Sequence, residues 1–256
     1  MFLDLTGQRI LVTGGSGGIG RAIVELFAAQ GGEVHYTHRG NLLSDSDHQQ
    51  FNSGNKGSIH GHILDMGDVD QVRIWVENFV DDNQQIDVLI NNVGGPIKRS
   101  TFSLGDLDLW RQTLDLNLLS LVSTTQSALP GLLASAKARG GASVINISSI
   151  SALHGGAGDS THYASAKGAV ITLTKGLAKE LGPDRIRVNA LVPSAIDTDF
   201  QRKHSSPERI QRIVDSTPLG RIGTVSDVAN VALVLSDSEI SAYVTGQMIG
   251  IDGGRS

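Results

Sequence analysis

Cysteine is absent from the 256 residues of this chain, which excludes disulfides and thiolate chemistry and leaves the redox compartment unspecified. Long apolar runs are missing too, and none approaches the ~20 residues of a membrane span. The opening Met1-Phe-Leu-Asp-Leu-Thr-Gly7 carries an acid and lacks the basic and apolar regions of a signal peptide, so cytoplasm is the expected location. There is no surplus of positive charge. With 21 Lys and Arg against 26 Asp and Glu, the formal charge is -5, and no electrostatic footprint for nucleic acid is present. No Pro/Ser-rich linker, internal repeat or low-complexity block divides the chain, so one domain spanning 1–256 is expected rather than two small ones.

What the chain does have is an alternation of apolar, β-rich runs with helical stretches. Residues 10–12, 33–37, 58–64, 88–91, 143–147, 187–191 and 248–251 read as strands. Most are continuously apolar, as expected for parallel strands buried on both faces. Helices are expected at 19–30, 69–81, 107–135, 163–181 and 225–235, the last starting near Ser226-Asp227. This is the pattern of a doubly wound Rossmann sheet, an α/β fold whose ligand lies past the carboxyl ends of the strands.

Two motifs carry chemistry. In Arg9-Ile-Leu-Val-Thr-Gly-Gly-Ser-Gly-Gly-Ile-Gly20 an apolar run breaks into glycines and enters an amphipathic helix. Such a turn lets backbone approach a pyrophosphate, held against the unpaired amides and positive dipole end of the helix. Gly15, Gly17 and Gly20 fit G-x-G-x-x-G, while Gly14, Gly18 and Gly20 with Thr13 fit T-G-x-x-x-G-x-G. Further on, Tyr163 and Lys167 stand four apart and share a helix face. Taken alone the pair also fits an ordinary half-exposed helix face. An ammonium beside a phenol, however, favours the phenolate and lowers its pKa toward physiological pH, which suits proton exchange with a carbinol oxygen. The eight histidines show no ligand spacing along the chain, and no metal is expected.

The second glycine pattern resembles that of the short-chain dehydrogenase/reductase family, and five further segments extend the resemblance over nearly the whole chain. They are Asp87-Val-Leu-Ile-Asn-Asn-Val-Gly94, Leu114-Asp-Leu-Asn117, Val144-Ile-Asn-Ile-Ser-Ser149, Arg187-Val-Asn-Ala-Leu-Val-Pro193 and Tyr243-Val-Thr-Gly-Gln-Met-Ile-Gly-Ile-Asp-Gly-Gly254. The overall match is most similar to the branch of 3-oxoacyl-acyl-carrier-protein reductases, which also contains sugar, polyol and steroid dehydrogenases.

The resemblance implies that Tyr163 is the proton donor in reduction and that Lys167 lowers its pKa and holds the ribose hydroxyls. It makes Ser149 the hydroxyl that polarises the carbonyl and Asn117 the relay that orders a water on Lys167. Cofactor contacts are implied at Gly14, Ser16, Gly18, Ile19 and Gly20 of the turn, and at Asp65 and Met66 after the third strand, with Asp65 accepting from the adenine amino group. Asn92, Val93 and Gly94 follow the fourth strand, Asn91 is expected to tie backbone groups of neighbouring strands, and Pro193, Ile196 and Thr198 follow the sixth, with Thr198 on the carboxamide. The spacing from Ser149 to Tyr163 is one residue longer than the family's, so Ser148 and Ser151 compete for the serine role. Val93 replaces the family's alanine, and Ser194 stands where the family has glycine, with a side chain near the nicotinamide or substrate.

At the end of the second strand NAD enzymes place an acid on the ribose and NADP enzymes a base for the 2′-phosphate. This chain offers Thr37, His38 and Arg39 there and no acid, so NADP(H) is expected, with NAD(H) the alternative. The resemblance implies that segment 194–216 covers the substrate, and Lys98, Arg99, Arg202, Lys203, Arg209 and Arg212 either face an anionic substrate or form a solvated helix face. The expected function is an NADP(H)-dependent ketone/secondary-alcohol oxidoreductase. The alternatives are an NAD-dependent sugar or polyol dehydrogenase and a catalytically silent dinucleotide-sensing protein. Apolar surplus on the helices at 107–135 and after Tyr163 points to a homotetramer, with a small-molecule substrate and neither nucleic acid nor membrane as partner.

Overall fold

Seven strands form where the apolar runs lie: β1 (Arg9–Val12), β2 (Glu33–His38), β3 (Ser58–Ile63), β4 (Val88–Asn91), β5 (Ala142–Ile147), β6 (Ile186–Pro193) and β7 (Met248–Ile251). The computed structural model describes residues 3–40 and 56–256, so Met1 and Phe2 of the N-terminal run lie outside it. All pairings are parallel, in the order β3-β2-β1-β4-β5-β6-β7. The strands β5 and β6 are buried along their whole length, whereas the edge strand β7 alternates between exposed and half-buried residues. The chain moves outward from β1 to β3 and then returns to the other side of β1, so the order reverses between β1 and β4 and opens a crevice at their carboxyl ends.

Helices cover both faces. On one, α1 (Gly18–Ala29) brings Ile23, Val24 and Phe27 against Val228, Ala232 and Leu235 of a helix near the C-terminus, Val225–Ser236. On the other, α2 (Val69–Asn83) and a long helix, Ser120–Arg139, bury Val72, Val76, Phe79, Ala128 and Leu132. No helix among the described residues is long and apolar enough to cross a membrane.

The stretch 107–135, expected as one helix, is three pieces. The helix α3 (Leu107–Leu114) runs through a π-helical turn, Asp115–Leu119, into α4 (Ser120–Arg139). An apolar period hides such a widening, because the flanking turns keep their helical spacing. The chain continues through α5 (Ser151–His154), α6 (Thr161–Leu181), α7 (Asp199–His204), α8 (Pro207–Asp215) and α9 (Val225–Ser236). Within segment 194–216, α7 and α8 are capped by the hydroxyls of Thr198 and Ser206, which accept from Gln201 and Arg209 amides.

Charged groups lock the sheet to its helices. The carboxylate of Asp87 is buried, accepts from the Arg9 amide at 2.6 Å and from the Ser135 hydroxyl, and forms an ion pair with Arg139 at 3.0 Å. Arg187, also buried, donates to the carbonyls of Leu235 and Asp237 at 2.8 and 3.1 Å, which ties β6 to the end of α9. The histidine pattern requires a correction: parallel pairing of β2 with β3 brings ligand atoms of Glu33, His35 and His60 within 4.8 Å of one another. Linear spacing could not reveal this, because the residues come from strands joined by a long connection.

Candidate active site

The carboxyl ends of β1, β4, β5 and β6 meet around one crevice. At β1 the glycines divide by task. Gly14 and Gly18 adopt φ of +69° and +54°, a region other residues rarely enter, and a methyl on Gly20 would collide with the Gly14 carbonyl oxygen. Gly17 has open space where a Cβ would stand, and it caps α1 without a side-chain hydrogen bond. First-turn amides of α1 are thus left to face an anion, with Ser16 half-buried beside them and Ile19 packed on the core. This cradle fits a dinucleotide pyrophosphate, and the positions in question are those of the T-G-x-x-x-G-x-G pattern.

Thr13 holds β1 to β4, since its hydroxyl oxygen accepts from the amides of Asn92 and Val93 at 2.9 and 3.1 Å. Sequence reasoning gave Thr13 no such role. The Asn92 amide donates to the carbonyls of Thr13 and Gly14 at 3.0 and 2.9 Å, so this side chain shapes the glycine turn. Asn91 differs from expectation. Rather than tying backbone groups, it donates to the side chains of Thr125 and Asn146, and Asn146 passes the chain on to Thr174. Val93 packs against Gly14, its Cγ2 only 2.7 Å from where a Cβ there would stand.

Tyr163 and Lys167 lie on α6 as the spacing required. Lys167 is buried, and its ammonium donates to the Ile147 carbonyl at the end of β5 at 2.8 Å. Burial pulls its pKa down to about 8. Asn117, in the π-helical turn, is fully buried and locked to the loop after β4: Nδ2 donates to the Gly95 and Thr113 carbonyls at 3.1 and 2.9 Å, and Oδ1 accepts from the Gly95 amide at 2.8 Å. A π turn leaves such carbonyls open to side chains. Gly94 sits against both residues, for a Cβ on it would stand 2.5 Å from Lys167 Nζ and 2.7 Å from Asn117 Oδ1.

Among the three serines the surroundings differ. The Ser148 hydroxyl is buried and donates to the Lys167 carbonyl at 2.8 Å. Ser149 is half-buried, stands near enough to the Tyr163 phenol to influence its pKa, and accepts from the Ser151 amide at 3.2 Å. The phenol itself is a correction. Burial raises the Tyr163 pKa above its ordinary value and the nearby Ser149 hydroxyl only partly opposes this, whereas a lysine-lowered phenol was expected. The reason is geometric, since Lys167 is turned to Ile147.

At the end of β2 the groups are unequal. Thr37 is buried, and its hydroxyl accepts from the Gly14 amide at 3.1 Å. His38 is buried, with Nδ1 accepting from the Gly40 amide at 3.1 Å. Arg39 alone of the three is exposed, and it makes no ion pair among the described residues. Asp65 is exposed and turns one oxygen to the Gly67 amide at 2.9 Å, while Met66 is buried.

After β6, Pro193 accepts from the Ile150 amide at 2.9 Å, and Ile196 is buried and bridged to Gly223. The Thr198 methyl would lie 3.3 Å from a Cβ on Gly18, so α7 begins directly over the glycine turn. Ser194 faces the tail, accepting from Arg255 at 3.3 Å. Of the basic side chains expected near the substrate, Arg202 is paired with Asp197 and Asp199, and Arg99 with Asp159 at 3.0 Å. A cavity of about 540 Å³ is lined by Ser194, Ile213, Thr217, Leu219 and Gly253 among others, and Tyr163 does not line it.

Residues 14–256 match the family model described as enoyl-(acyl carrier protein) reductase. The chain is 38% identical over 258 aligned positions to the 3-oxoacyl-(acyl-carrier-protein) reductase of Chlamydia pneumoniae, covering 99% of each. Among solved structures it is similar to an NADH-dependent reductase responsible for alginate metabolism, at 31% identity and a TM-score of 0.89 over 98% of each chain. It is also similar to a putative NAD(P)-dependent gluconate 5-dehydrogenase from Beutenbergia cavernae with NADP bound at low occupancy. That match has 30% identity and a TM-score of 0.89 over 100% of this chain and 99% of the other.

Proposed function

The chain belongs to the short-chain dehydrogenase/reductase family of oxidoreductases, and we propose that it interconverts a ketone and a secondary alcohol with NADP(H). The observation that carries this reading is the meeting of Tyr163, Ser149, Lys167 and Asn117 beside a glycine cradle that fits a pyrophosphate. A bound nicotinamide supplies or accepts the hydride. The residues of this chain position and protonate. Ser149 and Tyr163, neighbours in the site, present two hydroxyls to a carbonyl oxygen; Ser149 polarises it, and Tyr163 delivers the proton as charge develops there. Lys167, protonated below its lowered pKa, turns from the Ile147 carbonyl to the ribose hydroxyls and brings its charge toward the phenol. Asn117 holds the loop of Gly94 and Gly95 at the floor of the site.

Arg39 is the proposed ligand of the 2′-phosphate, because its planar fork binds two oxygens at once and it is exposed where Thr37 is not. The same observation leaves a second reading, an NAD-dependent sugar or polyol dehydrogenase, since one exposed arginine now stands for three expected groups. A panel of ketones and alcohols assayed with both cofactors by nicotinamide absorbance separates the two, and no turnover with either would refute both. For assembly we propose a homotetramer, supported by the exposure of Leu119 in the helical turn before α4, of Tyr243 in the turn that precedes β7, and of Met248 at the start of β7. Light scattering that returned 27.0 kDa would refute it.

A further inference from the structure

Glu33 and His35 stand two apart on β2, and His60 and His62 two apart on β3, so each pair projects from one sheet face. Pairing sets His35 opposite His60, and Glu33, His35 and His60 bring one ligand atom each within 4.8 Å of the others. His35 Nε2 lies 3.0 Å from Glu33 Oε1. The remaining atom of each residue is held from behind. Glu33 Oε2 accepts from Arg9 at 3.0 Å, His35 Nδ1 lies 3.1 Å from His62 Nε2, and His60 Nε2 lies 3.0 Å from the Ser58 hydroxyl. A metal would displace the contact between His35 Nε2 and Glu33 Oε1, and a neighbour on the second atom of each residue is the arrangement that orients imidazole and carboxylate ligands around it.

We propose that Glu33, His35 and His60 bind a zinc-class divalent cation, with water completing a tetrahedral site. An apolar wall supports the ligands, since Phe79 meets the His35 ring edge-on at 4.9 Å and Trp75 stands 5.1 Å from His62. Bonds of about 2.0–2.1 Å require the donors to draw together. His60 is exposed on the edge strand and has the freedom to swing inward. Arg9 beside Glu33 opposes the added charge and moderates the affinity. The cation lies off the crevice and clamps β3 onto β2, which makes it structural rather than part of hydride transfer.

The test is titration of the full chain, free of any polyhistidine tag, with zinc sulfate by calorimetry and thermal melting. The expected result is one zinc per chain and a rise in melting temperature. His60→Ala should abolish both while keeping the metal-free melting temperature and turnover, and Glu33→Gln should weaken binding independently. His62→Gln, which removes only the outer partner, should weaken it about 10–100-fold. Absence of saturable binding to the parent chain, or unchanged affinity in His60→Ala and Glu33→Gln, would overturn the proposal.

Discussion

Replacing Gly94 by alanine adds one methyl group at the most crowded point of the candidate site. It would stand 2.5 Å from Lys167 Nζ, 2.7 Å from Asn117 Oδ1 and 3.0 Å from Lys167 Cε. Asn117 cannot yield, because three hydrogen bonds to Gly95 and Thr113 hold it in the π-helical turn. Lys167 must give way, and it can do so only by leaving the Ile147 carbonyl to which it donates at 2.8 Å. Losing a hydrogen bond to a charged group costs about 1.5–3 kcal/mol. For a domain of this length that corresponds to a melting temperature lower by about 3–12 °C. If the same displacement removes the ammonium from ribose and phenol, turnover falls by about 10–150-fold. Thermal melting and steady-state kinetics with NADPH check the two arms together. Parent-like turnover with an unchanged melting temperature would refute the reasoning, because the methyl would then have found room that this packing denies it.

Tyr163→Phe is expected to remove nearly all turnover while leaving NADPH affinity within a few-fold, and retained turnover in the absorbance assay would sink the proton-donor role. Arg39→Ala should weaken NADPH by about 1.5–3 kcal/mol, read by fluorescence titration, with NADH nearly unaffected; equal losses for both cofactors would exclude a phosphate contact. Ser149→Ala should suppress turnover, whereas Ser148→Ala, which loses only the bond to the Lys167 carbonyl, should cost about 1 kcal/mol of stability in urea and keep activity. The buried Lys167 predicts a pH dependence. Its pKa falls from 10.5 to about 8 on folding, so between these values the unfolded chain binds more protons and stability rises with pH. Relative to Lys167→Met, the parent should therefore gain on the order of 3 kcal/mol from pH 8 to 10.5, measured by denaturant unfolding. A constant difference across that window would show that burial does not depress this lysine.

The sequence by itself determined the sheet and most of the crevice. Continuous apolar runs marked buried parallel strands at their observed places, since burial on both faces removes polar alternation. Gly14, Gly18 and Gly20 were legible because positive φ and close backbone contact exclude side chains. Tyr163 and Lys167 were legible because a helix fixes which residues share a face. All of these are local constraints, in which a few neighbouring residues decide the geometry.

What only the tertiary structure decided depends on residues far apart in the chain. The direction of Lys167 comes from a carbonyl twenty residues away, and the raised pKa of Tyr163 from its burial against the packed fold. Thr37 ties β2 to the glycine turn, because its hydroxyl accepts from the Gly14 amide across the β1–β2 boundary. The π-helical turn at Asn117 arises where a side chain can satisfy the carbonyl it opens, and the apolar period carries no trace of it. Ser194 and Arg255 met only when the tail folded back over β6, and Glu33, His35 and His60 only when two strands joined by a long connection paired. Side-chain identity sets which interactions are available, and long-range pairing selects which one each group makes.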